Sequence, residues 1–231
     1  MIFFDIDETL LDQRKAEAAA AVNFLNRYGH WLNRPYALPE FCALWRALRE
    51  KHVGSFFRRE VPLEETRRRR VRELFGSPVR GFSDAEIDAV FAVFEDRYRG
   101  AWAPFDDVIP ALELLRGHTC GVISNGSAAQ QKLKLERTGL ARYFQIVVIS
   151  EETGAAKPAE AIFRAACAAA GALPADCIHV GDRLDHDALA GRAAGLQTFW
   201  LNRRGAPHPA EVDVVHSLFD FCRRLEIRVA V

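Results

Sequence analysis

An α/β fold is predicted for this chain, a parallel sheet with helices on both faces and an all-helical insertion after the first strand. Three observations predict it. From about residue 104 onward, short apolar runs alternate with helix-length segments, the grammar of βαβ units. Between residues 14 and 103 no strand-like run interrupts the helical periodicity. The N-terminal apolar run ends abruptly in Asp5, Asp7 and Glu8, as a buried strand does on leaving a sheet. The predicted division is therefore a core of residues 1–13 and 104–231 around a helical unit of residues 14–103. A chain of 231 residues, 49% hydrophobic and 27% charged, can bury enough surface to hold both.

The predicted strands are 1–6, 119–124, 146–150, 177–181 and 197–202, with 212–215 as an edge strand and a closing helix from 217. Pro110 suits a first helical turn, and Gly117, Gly139, Gly171 and Gly195 suit left-handed helix ends. In the insertion the helices are predicted near 14–28, 39–52, 62–75 and 83–99, with Pro39 and Pro62 in tolerated first-turn places. Ser83 and Glu86 have the spacing of a capping box. Residues 100–104 read as a hinge, which suggests a lid over the sheet's carboxyl edge, where ligands of open α/β sheets bind.

Thirty-one basic side chains balance 31 acidic ones. Nucleic acid and anionic lipid select a strongly basic balance, so neither is an expected partner. Cys42, Cys120, Cys167, Cys177 and Cys222 are odd in number, and no two form a C-x-x-C pair. A reducing cytoplasm is the expected home. The first apolar run is too short for a signal peptide, and no later stretch could span a bilayer, so no membrane is expected.

The chemistry-bearing residues fall at strand ends. Asp5 and Asp7 lie two apart, which in an extended chain turns both carboxylates to one side. One could attack a phosphorus or carbon centre while the other donates and later accepts a proton. An isolated D-x-D-x-T reads equally well as a polar strand exit in which Thr9 caps. The second strand ends in Ser124-Asn125-Gly126, a hydroxyl and a turn whose amides can hold phosphate oxygens. Lys157 precedes a helix-opening Pro158 after the third strand. The fourth ends in Gly181-Asp182-Arg183-Leu184-Asp185-His186-Asp187, three carboxylates of which one would be a helix cap. Asp182, first after its strand like Asp5, is placed to share a hard divalent cation with it.

Acid pair, hydroxyl turn, loop lysine and second acid cluster, in this order, resemble the four signature motifs of the haloacid dehalogenase superfamily. The resemblance spans nearly the whole chain. The helical block resembles that superfamily's inserted cap, and the stretches around Lys157-Pro158 and 191–195 resemble its sugar-phosphate phosphatases and nucleotidases. Glu8 and Arg183 replace commoner residues without touching a required role.

The resemblance implies a Rossmann-like core and a Mg²⁺-dependent phosphomonoesterase acting on a small soluble ester such as a nucleoside monophosphate or sugar phosphate. It implies Asp5 as nucleophile, Asp7 as general acid and base, and Lys157 as the charge-neutralising third catalytic residue. Ser124, Asn125 and Thr9 would bind substrate, and Asp5, Asp7 (through its carbonyl), Asp182 and Asp187 would hold or support the metal. The dehalogenase branch lacks a carboxylate at the place of Asp7. The alternatives are a phosphomutase using the same aspartyl-phosphate, and a binding or regulatory protein that lost turnover.

Two further signals have plainer readings. The run Arg67 to Arg70, with Arg58, Arg59 and Arg72, resembles a nucleic-acid patch, but four consecutive residues spread over about 300° of a helix. With Glu60, Glu64 and Glu65 interspersed, a solvated face is expected, from which at most one arginine reaches substrate. Phe41, Leu44, Trp45 and Leu48 follow a helical stripe and read as core. His179, inside a strand, reads as a satisfied core histidine.

Overall fold

The computed structural model describes residues 1–229, with side chains through 225. Residues 230 and 231, the end of the expected core domain, lie outside the described residues. In chain order the elements are β1 (Ile2–Phe4), α1 (Gln13–Tyr28), α2 (Leu38–Phe57), α3 (Leu63–Phe75), α4 (Asp84–Gly100), α5 (Val108–Leu114), β2 (Cys120–Ser124), α6 (Ala128–Arg137) and β3 (Ile146–Ile149). There follow α7 (Ser150–Thr153), α8 (Glu160–Ala169), β4 (Ile178–Gly181), a π-helical segment (Leu184–Leu189), α9 (Ala190–Ala193), β5 (Gln197–Leu201), β6 (Val214–Val215) and α10 (Leu218–Val229). The chain divides into two compact units, Met1–Asp12 with Ala103–Val231, and Gln13–Trp102.

The first unit is a six-stranded sheet in the order β3-β2-β1-β4-β5-β6, parallel at every pairing. Helices on both faces demand strands apolar on both sides, which is why β1 reads Ile-Phe-Phe without alternation. Ile2, Phe4, Val122, Val180 and Phe199 pack on one face with Val108 and Leu112 of α5 and Leu218 and Phe221 of α10. Phe3, Ile123 and Val148 pack on the other with Ile162, Phe163 and Ala166 of α8 and Ala190 of α9. The strand order turns about β1, whose neighbours are β2 and β4. The crevice beyond its carboxyl end is the ligand position of such sheets.

Several boundaries differ from the sequence reading, each for a local reason. β1 stops at Phe4, although the Asp5 N–H still donates to the Val180 carbonyl at 3.0 Å, because the chain then folds back and the Leu10 and Leu11 amides both bond the Ile6 carbonyl. α2 runs on to Phe57, past Gly54, because Ser55 and Phe56 are buried. Pro158 does not open a helix; α8 starts at Glu160 with Ala159 as its N-cap. Gly139, Gly171 and Gly195 take positive φ as expected, whereas Gly117 lies in the turn after α5 without it.

The second unit is all helix among its described residues. Its core gathers around Phe24, whose ring lies within about 6 Å of Tyr28, Phe41, Trp45, Phe75 and Phe94. Phe41 and Trp45 belong to that core, Leu48 is buried and Leu44 half-buried. The capping box forms: the Ser83 Oγ accepts from the Glu86 N–H, and the Glu86 carboxylate accepts from the Ser83 N–H at 2.8 Å.

The arginine run is spent on neighbouring acids. Arg67 pairs with Glu95 at 2.6 Å, Arg68 with Asp88 at 2.6 Å, Arg69 with Glu65 at 2.9 Å and Arg72 with Asp84 at 2.6 Å. Arg70 departs from the solvated-face expectation. It is buried, with its guanidinium 4.3 Å from the Trp45 ring centroid and its Nε without a hydrogen-bond partner. No helix among the described residues is long and apolar enough to cross a membrane.

Candidate active site

Lys157 organises the carboxyl edge. It is only 5% exposed, and its three N–H donors find three acceptors: Asp5 Oδ1 at 2.8 Å, Asp187 Oδ1 at 2.6 Å and the Ile123 carbonyl at 3.1 Å. A loop lysine is ordinarily solvated, and the two buried carboxylates make this one an exception. They hold its ammonium charged against the burial that would discharge it.

The loop bearing Lys157 is fixed by Asn125. The Asn125 Oδ1 accepts from the Lys157 N–H at 2.8 Å and its Nδ2 donates to the Lys157 carbonyl at 2.9 Å. Both ends of the Asn125 side-chain amide are thereby committed to backbone. The turn amides are also less free than the sequence suggests. The Gly126 N–H donates to Ser150 Oγ at 3.0 Å and the Ala128 N–H to Glu151 Oε2 at 2.7 Å. Thr9 is fully buried with its Oγ1 unpartnered, and its carbonyl accepts from Arg203 at 3.0 Å. The structure does not bring its hydroxyl to the lysine cluster.

Asp187 reaches the cluster from the π-helical segment. Its Oδ1 accepts hydrogen bonds from Lys157 Nζ at 2.6 Å and from His179 Nε2 at 3.1 Å, and its Oδ2 accepts from the Arg183 N–H at 2.9 Å. None of the aspartates after β4 is the helix cap expected there; the N-cap residue is Arg183, with no side-chain cap bond. Glycine at 181 is what lets Asp187 sit so close: a Cβ there would lie 2.2 Å from the Asp187 Cγ. His179 is a partner of Asp187 and not merely a core residue. Burial lowers its pKa and keeps the ring neutral, so Nε2 carries the donated proton.

The carboxylates differ in electrostatic state. Burial raises Asp5, and Lys157 opposes that shift while Asp187 and Asp7 add to it. Asp187 is held low: burial acts to raise it, and Lys157 and His179 together outweigh this. Asp182 is pushed up to about 8, by burial first and then by the charges of Asp187 and Asp5. Oxygens of Asp5, Asp182 and Asp187 lie within 4.8 Å of one another. The three carboxylates of that group share a single ammonium, Lys157, which pairs with Asp5 and Asp187. Hard oxygen donors with that surplus fit a divalent cation such as Mg²⁺. Asp7 is not in this carboxylate group.

The Asp7 side chain turns instead to α6, where it meets Lys134 Nζ at 2.5 Å and Gln131 Nε2 at 3.1 Å. Gln131 also donates to Ser124 Oγ at 2.8 Å. Neither residue was singled out by the sequence, though a signal existed. Gln131, Lys134, Leu135 and Thr138 form an i, i+3, i+4, i+7 stripe, and polar residues on a core-facing stripe mark a site.

A family model described as haloacid dehalogenase-like hydrolase matches residues 1–195. This chain belongs to the haloacid dehalogenase-like hydrolases. Curated relatives of this family include the glyceraldehyde 3-phosphate phosphatase of Methanopyrus kandleri, 32% identical over 87% of this chain and 83% of that protein. The pyrimidine 5'-nucleotidase PynA of Streptococcus pneumoniae is 30% identical over 91% and 85%. YjjG of Escherichia coli, another pyrimidine 5'-nucleotidase, is 43% identical over 46% of this chain, which spans about half of that relative at 48%. In fold, the magnesium-bound HAD-hydrolase YfnB of Bacillus subtilis superposes with a TM-score of 0.75 over 97% of each chain, at 22% identity. The dehalogenase-like hydrolase core of this chain thus carries its acids, lysine and hydroxyl at one sheet edge.

Proposed function

We propose that this chain hydrolyses small phosphate monoesters through an aspartyl-phosphate on Asp5, with Mg²⁺ as cofactor. The observation that carries the reading is the Lys157 ammonium fixed between Asp5 and Asp187 in a buried acid cluster. Lys157 occupies Asp5 Oδ1, which leaves Oδ2 as the attacking oxygen. A bond forms from Asp5 Oδ2 to phosphorus as the bond from phosphorus to the ester oxygen breaks, and Asp7 gives that oxygen its proton. Water then attacks the phosphoryl group, Asp7 takes the water's proton, and inorganic phosphate leaves with the Asp5 carboxylate restored. Ser124 would donate to a phosphoryl oxygen. Asp5, Asp182 and the Asp7 carbonyl would hold Mg²⁺, with Asp187 in support, and the ion would neutralise phosphoryl charge. The helical unit, residues 14–103 in this reading, would select the leaving group, whether a nucleoside monophosphate or a sugar phosphate. The reducing cytoplasm is the compartment that suits five buried cysteines that form no disulfide.

A panel of phosphate esters assayed with purified protein tests this reading. Phosphate release should require Mg²⁺, stop with chelator, and fall by at least about 10³-fold in Asp5→Asn, since the covalent route is lost with the nucleophile. Full activity in Asp5→Asn would remove the nucleophile assignment. Asp7→Asn should accumulate phosphoryl-enzyme from an aryl phosphate, seen by intact mass, because general base help typically worth about 10² to 10⁴ in rate is missing from the water step.

A further inference from the structure

Gln131 and Lys134 sit one helical turn apart on α6, each 2% exposed, and both aim at the machinery described above. The Asp7 carboxylate has one oxygen on each of them, Oδ1 on Lys134 Nζ at 2.5 Å and Oδ2 on Gln131 Nε2 at 3.1 Å. The same Gln131 nitrogen donates to Ser124 Oγ at 2.8 Å and to the Asn125 carbonyl at 3.2 Å. The Asn125 carbonyl is an acceptor only, so the amide's orientation is settled by that neighbour. A buried lysine and a buried glutamine on a core-facing stripe are costly unless their bonds matter. The turn is also shaped around them. Gly126 has φ +142°, and a Cβ there would lie 3.2 Å from the Gln131 Cγ.

We propose that Lys134 and Gln131 are positioning residues for the phosphate chemistry, a clamp on α6 that sets where the Asp7 proton carrier stands relative to the Ser124 hydroxyl. The inference rests on the phosphatase reading of the same site. Lys134 anchors Asp7 Oδ1 and limits the carboxylate to one rotamer. Gln131 ties Asp7 to the phosphate-binding turn. Because Ser124 Oγ accepts from Gln131, its own O–H proton is directed elsewhere, which frees it to donate to a phosphoryl oxygen. The two residues therefore differ in reach: Lys134 acts on proton transfer, and Gln131 acts on proton transfer and on phosphate binding.

A series of substituted phenyl phosphates, running from 4-nitrophenyl to 4-methoxyphenyl, separates these roles. Good leaving groups depart unprotonated, and poor ones need Asp7 in place. Wild type should show a shallow dependence of kcat/KM on leaving-group basicity. Lys134→Met should steepen it, losing roughly 10²-fold on the poorest leaving group, the scale of an ångström's misplacement, and little on 4-nitrophenyl phosphate. Inhibition by inorganic phosphate should be unchanged in that variant. Gln131→Met should steepen the slope and also weaken phosphate inhibition several-fold. Lys134→Arg, which keeps a cation in reach, should recover part of the lost slope. Equal losses across the series in Lys134→Met, or an unchanged slope in both variants, would overturn the clamp while leaving the phosphatase reading intact. A wild type inactive on every ester would remove that reading and the clamp with it. If Lys134→Met does not fold, the Gln131→Met slope and phosphate inhibition decide the matter alone.

Discussion

Asp182 carries the clearest pH consequence of any single residue. Its carboxyl is pushed from 3.8 up to about 8 in the metal-free fold, so the folded state holds a proton that the unfolded state has released. The stability this gives is fully present below about pH 4 and is lost as pH rises through 8. In chelator, wild type should therefore lose melting temperature against Asp182→Asn as pH rises from 4 to 9, read by thermal scans of the two proteins side by side. Metal binding needs the carboxylate, so Mg²⁺ affinity of wild type should climb up to about pH 8 and then level off. A flat affinity across that range would place the ion elsewhere. Gly181 acts on the same cluster by shape. A methyl group 2.2 Å from the Asp187 Cγ cannot be accommodated without moving Asp187 off Lys157. Gly181→Ala should lose about 1–3 kcal/mol in denaturant unfolding, the usual cost of overpacking, and most of its turnover.

At the scale of elements, α3 shows how one helix divides its charges. Arg67, Arg68, Arg69 and Arg72 meet acids, while Arg70 turns inward among Trp45 and Phe91. Burial depresses its pKa, the mark of a charge held where water would be preferred. A cation over aromatic faces gains about 2 kcal/mol when desolvated, less than the several kcal/mol that removal of an ion from water costs. Arg70→Met should therefore raise the unfolding free energy by about 1 kcal/mol, read from the denaturant midpoint; a large loss instead would show that the guanidinium has an anionic partner to serve. The periodicity that argued against a nucleic-acid face located the helix correctly but did not say which arginine would turn inward. Consecutive arginines give no clue which one falls on the apolar stripe until the neighbouring helices are in place.

For the whole molecule, the insertion leaves and re-enters at one point. The Asp12 N–H donates to the Ala103 carbonyl at 3.1 Å, and Leu11 bridges Pro104. Each unit also has its own apolar core. A variant in which a short Gly-Ser link replaces residues 13–102 should melt cooperatively with the far-ultraviolet dichroism of an α/β protein. A non-cooperative melt would show that the core depends on the insertion for stability.

The order of strands and helices, the acid pair at Asp5 and Asp7, Lys157 and the Asp182–Asp187 cluster were legible from sequence because each is a local pattern: apolar runs, turn residues and acids at fixed offsets. The capping box at Ser83 and Glu86 was legible for the same reason. What only the tertiary structure decided is which polar atoms meet across long separations. Asn125 looks like a ligand residue in its turn and serves as a latch on a loop 32 residues away. Gln131 and Lys134 lie on the core-facing stripe of their helix and reach Asp7 across more than 120 positions. His179 is the core histidine expected, and only the packing names Asp187 as its partner. Hydrogen bonds act over about 3 Å, so partners distant in sequence are chosen only when packing of the sheet and its helices brings them together.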